Sequence, residues 1–165
     1  PMYRKAEEIA GALAEQGYTI VSGGGSGIME AANRGAKDAG GHAIGFNIIL
    51  PHEQKLNSYT TENLAFHYFF TRKGMMTFYA HGFIYFPGGF GTLDELFEVI
   101  TLIQTKKMPP VPIILVGQTF WSKLDEFIKT QLRDNSLITN GDEKLYTIVD
   151  DVHDICSIIN KDFDS

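Results

Sequence analysis

Apolar residues along this chain alternate between a helical rhythm and short unbroken runs. From Arg4 to Gln16, Ala6, Ile9, Ala10, Leu13 and Ala14 fall on one helical face, and Gly17 supplies the C-terminal stop. Tyr18–Ser22 is a compact run that reads as a strand, and it feeds directly into five residues, Gly23 to Gly27, of which four are glycine. A second helical pattern runs from about Ile28 to Ala39, with Met29, Ala32 and Ala36 expected inward and Glu30, Arg34 and Lys37 among the polar positions. After the break at Gly40 and Gly41, His42–Ile48 reads as a strand, while Leu50–Asn63 keeps no period and predicts a long surface loop. Leu64–Phe70 is aromatic and strand-like, and Arg72–Ala80 is predicted helical, which sets Arg72 and Lys73 at the boundary between the two.

The second half opens on Gly82–Phe86, an apolar run bounded by turn residues and expected to be a strand covered on both faces. It passes without interruption into Pro87–Gln104, a glycine turn followed by a helix opened by Thr92, with Asp94 and Glu95 in its first turn. Leu96, Phe97, Ile100, Leu102 and Ile103 spread over more than one stripe of that helix, which suits burial against both its own sheet and a partner subunit. Val111–Gly117 predicts a buried strand, Phe120 to about Leu132 a helix, Leu145–Asp150 a strand, and Val152–Ile159 a helix before a polar tail at Asn160–Ser165. This alternation predicts an α/β fold: a doubly wound parallel sheet with helices on both faces, in one domain over residues 1–165. Such sheets bind ligands at the carboxyl ends of their strands, where both glycine turns lie. If those two strands are neighbours, the turns share one crevice. The chain starts on a helix where an α/β domain usually starts on a strand, so a further strand is expected upstream of Pro1.

Composition narrows the classes. A length of 165 residues suits one domain with a continuous core. A net charge of -6 without any lysine or arginine block argues against a nucleic-acid partner, so a bound phosphate must be held locally. No apolar run approaches a membrane span and nothing resembles a signal peptide, so no membrane partner is expected. The lone Cys156 cannot form an internal disulfide, which points to a structural cysteine in a reducing, cytoplasmic setting. His42, His52, His67, His81 and His153 show no metal-ligand spacing, and neither a metal nor a cofactor is expected.

The chemistry concentrates in the glycine turns. Gly88, Gly89 and Gly91 let a ligand approach the main chain, and the helix N-terminus behind them offers unpaired N–H groups and a positive dipole end to an anion. A dinucleotide fingerprint is excluded: Gly23 and Gly25 are correctly spaced, but the third glycine position is Ile28 and no carboxylate ends the next strand near Gly45–Asn47. There is no P-loop, and Ser26 in GGGSG is out of register for a nucleophile elbow, leaving it a turn residue.

The segments SGGGSGIMEAANRGA, YFFTRK and PGGFGTLDE together resemble the Lonely Guy family of cytokinin-activating proteins, long mislabelled as lysine decarboxylases. The family signature PGGxGTxxE is met by Pro87, Gly88, Gly89, Gly91, Thr92 and Glu95, and its Arg-Lys pair by Arg72 and Lys73, with Phe69 where the family has methionine. The resemblance implies a Rossmann-like homodimer or higher homo-oligomer that hydrolyses the N-glycosidic bond of a nucleoside 5'-monophosphate, releasing base and ribose 5-phosphate. It also implies a first strand, absent from this chain, that ends in a glycine-serine turn at the nucleotide site.

Cleaving that bond develops positive charge on the ribose, so a nearby carboxylate is needed. Glu95 is the candidate, to hold ribose hydroxyls, stabilise the charge or orient water, and Arg72 is the candidate cation for phosphate or leaving group. Gly88, Gly89, Gly91 and Thr92 are expected to take the phosphate; Gly24, Gly25, Met29, Lys73 and Glu98 are candidates for contacts to base and ribose. A pocket wall for the base is expected from Phe46–Tyr59 and Phe90. The competing expectation is a non-catalytic carrier of a nucleotide or phosphorylated cofactor, like the related molybdenum cofactor carriers. A pyridoxal-dependent lysine decarboxylase fits poorly, since the loops offer phosphate contacts but no clear lysine for a Schiff base.

Overall fold

The computed structural model describes residues 1–52 and 55–163. They form two compact units, Pro1–Tyr79 and Ala80–Ser165. Each contains a three-stranded parallel sheet, and the chain as a whole has the Rossmann-like α/β fold with helices on both faces of its sheets.

In the first unit the elements are α1 (Met2–Glu15), β1 (Ile20–Ser22), α2 (Ile28–Asp38), β2 (Ala43–Ile48), β3 (Glu62–Phe66) and α3 (Phe69–Phe78). The predicted inward face of α1 is buried at all five positions, Ala6, Ile9, Ala10, Leu13 and Ala14. Gly17 follows the helix with φ +91°, a left-handed conformation that glycine adopts without strain. Strands are ordered β1-β2-β3, with Ser22 beside Gly45 and Phe46 beside Leu64. Helices α1 and α2 pack so closely that a Cβ on Gly35 would run into the carbonyl of Glu7.

Three boundaries differ from the pattern-based reading. The buried face of α2 is Ala31, Asn33, Gly35 and Ala36, and Met29 is exposed. Its thioether turns back over the glycine turn, lying where Cβ atoms on Gly23 and Gly25 would be. Strand β3 begins at Glu62 and ends at Phe66, and α3 begins at Phe69. Aromatic β-propensity over Tyr68–Phe70 suggested a strand, but these rings are exposed, and the Arg72 N–H already donates to the Tyr68 carbonyl at 3.3 Å. Arg72 therefore sits inside a helix instead of at its boundary. In the predicted Leu50–Asn63 loop, Glu53 and Gln54 lie outside the described residues, and Asn57 is buried.

The second unit contains β4 (Phe83–Tyr85), α4 (Phe90–Gln104), β5 (Ile113–Leu115), α5 (Gln118–Phe127), β6 (Thr147–Ile148) and α6 (Val152–Phe163). The order is β4-β5-β6, all parallel, with Tyr85 beside Leu115 and Leu115 beside Ile148. The central β5 is buried at every residue, whereas β4 is only partly buried, short of the covered strand its apolar run predicted. Leu96, Val99, Ile103, Met108, Trp121, Ile128 and Tyr146 close the core around β5. Trp121 is fully buried, and its indole N–H donates to the Val116 carbonyl at 3.0 Å. Helix α5 continues into a π-helical stretch, Ile128–Arg133. Helix α6 runs to Phe163, through the first part of the expected polar tail; Asp164 and Ser165 lie outside the described residues.

Helix α4 starts two residues before Thr92. Its N-cap is Gly89 and the Leu93 N–H donates to the Gly89 carbonyl at 3.1 Å, which places Asp94 and Glu95 in the second turn. Gly89 has the extended backbone of an N-cap, so the glycines that seemed to precede the helix begin it instead.

Candidate functional site

In the first unit, β1 ends at Ser22 and the chain turns through Gly23–Gly27 into α2. Gly24 and Gly27 have φ of +73° and +72°, the left-handed region that makes this turn depend on glycine. Arg72 reaches the turn from α3. Its Nε donates to the Phe46 carbonyl on β2 at 2.7 Å, and its guanidinium lies where a Cβ on Gly23 would be. Gly23, Gly25, Met29 and Arg72 are thus brought together. Lys73 follows on the same helix and is half-buried.

Four polar residues in this unit carried no recognised sequence signal. Ser22, Asn33, Asn47 and Asn57 are all buried, and they surround the turn. The Ser22 hydroxyl donates to Asn33 Oδ1 at 2.6 Å and accepts the Gly24 N–H at 3.0 Å. Asn57 comes from the loop: its Nδ2 donates to Asn33 Oδ1 at 3.0 Å and to the Gly25 carbonyl at 2.9 Å, while its N–H donates to the Gly24 carbonyl at 2.9 Å. Asn47 Oδ1 lies against Gly24, where a Cβ would clash. An inward asparagine on an otherwise apolar helix face was the one available hint; the pairing with Asn57, 24 residues away, was not readable.

In the second unit, Phe86–Gly89 links β4 to α4. A Cβ on Gly88 would clash with Thr92 Oγ1, so Gly88 is required by the tight wrap of the turn around Thr92. Gly89 and Gly91 differ. Neither has positive φ, and a Cβ on either would meet open space, so the packing of this chain does not demand glycine there. Phe90 between them is 92% exposed. The Tyr85 hydroxyl donates to the Glu95 backbone carbonyl at 3.4 Å. Burial pushes the Tyr85 phenol well above its ordinary range, and the Glu95 and Glu98 carboxylates push it the same way. Tyr85, Glu95 and Glu98 therefore share one electrostatic neighbourhood in which the phenol stays protonated.

The N-terminus of α5 is already occupied, because Asp150 accepts the Gly117 and Gln118 N–H groups at 2.5 and 3.2 Å. Helix α4 has no side-chain cap on its N-cap residue. Among the described residues, Asp151, His153 and Asp154 are a grouping of potential metal ligands, all exposed. Asp151 Oδ1 accepts the Asp154 N–H at 3.0 Å, which accounts for its place at the start of α6. No helix among the described residues is long and apolar enough to cross a membrane.

Residues 29–159 match the protein family described as "Possible lysine decarboxylase". This chain belongs to that family. Its relatives include proteins named for Lonely Guy activity. The rice (Oryza sativa) cytokinin riboside 5'-monophosphate phosphoribohydrolase is 38% identical over 104 residues, covering 60% of this chain and 42% of the rice protein. An Arabidopsis thaliana protein of the same name is 31% identical over 141 residues, covering 82% of this chain and 64% of that protein. The chain thus spans less than half the length of the rice relative. A solved structure of the molybdenum cofactor carrier protein of Chlamydomonas reinhardtii superposes with a TM-score of 0.74 at 21% identity, over 99% of this chain and 89% of that one. At that identity the likeness is one of fold. The Lonely Guy signature lies in the second unit, from Pro87 to Glu95, and the family's Arg-Lys pair in the first.

Proposed function

We propose that this Lonely Guy family member is a phosphoribohydrolase that cleaves the N-glycosidic bond of a nucleoside 5'-monophosphate, AMP or a modified, cytokinin-type AMP. Water adds to the anomeric carbon, the base leaves with a proton, and ribose 5-phosphate is released. The observation that carries this reading is the start of α4. Gly89 and Gly91 face open space without any conformational need for glycine, at an N-terminus whose N-cap residue brings no side chain to it. That combination suits a phosphate held by main-chain N–H groups. Thr92 adds a hydroxyl to the same turn.

Glu95 stands one helical turn further along α4, and its proposed role is to stabilise the oxocarbenium-like transition state, hold ribose hydroxyls or orient water. Arg72 is proposed as the second catalytic group, a cation for phosphate or departing base. Its Nε anchor on the Phe46 carbonyl fixes the direction of the guanidinium, which supports a positioned role over that of a mobile surface charge. Gly24, Gly25 and Met29 are proposed to contact base or ribose, with lesser roles for Lys73 and Glu98. A second copy of the chain is the proposed partner, supported by the exposure of Phe90 and Phe97 on α4.

The alternative is a carrier that holds a nucleotide or phosphorylated cofactor intact; the Chlamydomonas neighbour is named a molybdenum cofactor carrier protein. The enzyme reading is favoured because the relatives above 30% identity carry the hydrolase name and this chain carries the full PGGxGTxxE signature. Incubation with a panel of nucleoside monophosphates tests it. Free adenine from AMP, or free base from a prenylated AMP, is the expected result. Tight binding with the ligand recovered intact would establish the carrier instead.

A further inference from the structure

Asn33 is fully buried on α2, and its Nδ2 has no hydrogen-bond partner among the described residues. A leucine of similar shape would fill the same volume without burying a polar group, so the carboxamide is costly and calls for a reason. What it supplies is one acceptor, Oδ1, shared by two donors from distant parts of the chain: Ser22 Oγ at 2.6 Å and Asn57 Nδ2 at 3.0 Å. Those two residues in turn hold the glycine turn from both sides. Ser22 takes the Gly24 N–H, and Asn57 takes the Gly24 carbonyl through its own N–H and the Gly25 carbonyl through Nδ2. The remaining Asn57 oxygen accepts the Tyr59 N–H at 3.0 Å and so orders the segment that follows. An aspartate at position 33 could accept both bonds, but it would bury a net charge.

We propose that Asn33 is a positioning residue: a neutral buried acceptor that locks the Gly23–Gly25 turn to residues 57–59, presetting the turn that faces the substrate. The proposal rests on the reading of Gly24 and Gly25 as nucleotide contacts. The relay also explains why Gly24 must be glycine. Its backbone is tied at both N–H and carbonyl while φ is held at +73° and Asn47 Oδ1 fills the space of a side chain.

The test compares Asn33→Leu and Asn33→Asp with wild type. Amide hydrogen exchange is measured on the unliganded proteins, and KM and kcat are measured with AMP. In Asn33→Leu the Gly24, Asn57 and Tyr59 amides should all exchange at least roughly tenfold faster, with thermal stability lowered, because the Ser22 hydroxyl and Asn57 Nδ2 are left as buried donors without their acceptor. Its KM should rise roughly tenfold with kcat within about twofold, since a preset turn is lost and the chemistry is not. Asn33→Asp should restore amide protection despite lower stability. Unchanged protection at Asn57 and Tyr59 in Asn33→Leu would overturn the proposal, as would a fall in stability with KM unmoved. If Asn33→Leu does not fold, Asn57→Ser must produce the same coupled exchange at Gly24. Failure of wild type to release base from AMP would sink the hydrolase reading, and the exchange measurements would still decide the relay.

Discussion

The guanidinium of Arg72 occupies the space that a side chain at Gly23 would need, so a residue on α3 and the turn after β1 are mutually dependent although 49 positions apart. Arg72 is held there by its bond to the Phe46 carbonyl. Gly23→Ala would press on the Arg72 guanidinium and the Met29 sulfur, both at the ends of flexible side chains. The expected outcome is a small change in melting temperature and a loss of kcat/KM of roughly tenfold or more, because a displaced cation is misaligned for its anion. Steady-state kinetics beside a thermal melt would separate the two effects.

Gly91→Ala is the complementary experiment. The site has room for a methyl group and an ordinary helical backbone, so alanine should hold stability or raise it by roughly 0.4–1 kcal/mol. If main-chain N–H groups there receive the phosphate, KM for a nucleoside monophosphate should rise and inhibition by inorganic phosphate should weaken. A variant that is more stable and equally active would count against that phosphate position.

Glu95→Gln removes charge and keeps shape. A drop in kcat of roughly two to three orders of magnitude with KM little changed is the expected signature of a group acting on the transition state. Glu98→Gln should cost far less. Equal effects of the two substitutions on kcat would show that the field around Tyr85, and not Glu95 itself, is what matters.

Tyr85 links that field to pH. Burial first, then Glu95 and Glu98, raises its pKa above the ordinary tyrosine value, so the folded chain resists losing the phenolic proton. A raised pKa stabilises the fold fully below the unfolded value near 10, and the contribution is lost as pH climbs beyond it. Tyr146 shifts in the same direction, through burial and then its bond to Asp125. Denaturant melts from about pH 9 to about pH 11 should show stability falling with pH, and the fall should be shallower in Tyr85→Phe. An unchanged slope would mean that Tyr85 ionises normally.

Gly35→Ala tests packing alone. The added methyl would run into the Glu7 backbone carbonyl, which cannot swing aside, so α1 must move off α2. A destabilisation of roughly 1–3 kcal/mol is expected, with kinetics of the surviving fold unaltered. A neutral result would mean that the helices separate freely.

Much of this was legible in residue order. The inward face of α1, the buried β5, the alternation of strand and helix, and both glycine turns at strand ends follow from periodicity and from glycine's freedom, which are local properties. Where local preferences conflict, the order misleads. The aromatics Tyr68–Phe70 favour a strand by propensity and instead lead into the exposed start of α3, and Met29, apolar and helical, leaves the core to cover the glycine turn. The fold class and the signature residues Gly88, Gly89, Gly91, Thr92 and Glu95 could be read from residue order alone. That Arg72 leans on Gly23, and that Ser22, Asn33 and Asn57 tie Gly24 and Gly25 in place, emerges from the folded chain. Hydrogen bonds and close approaches between residues 11 to 49 positions apart leave no periodic trace, because each partner is a single polar or small residue whose meaning depends on what the fold sets beside it.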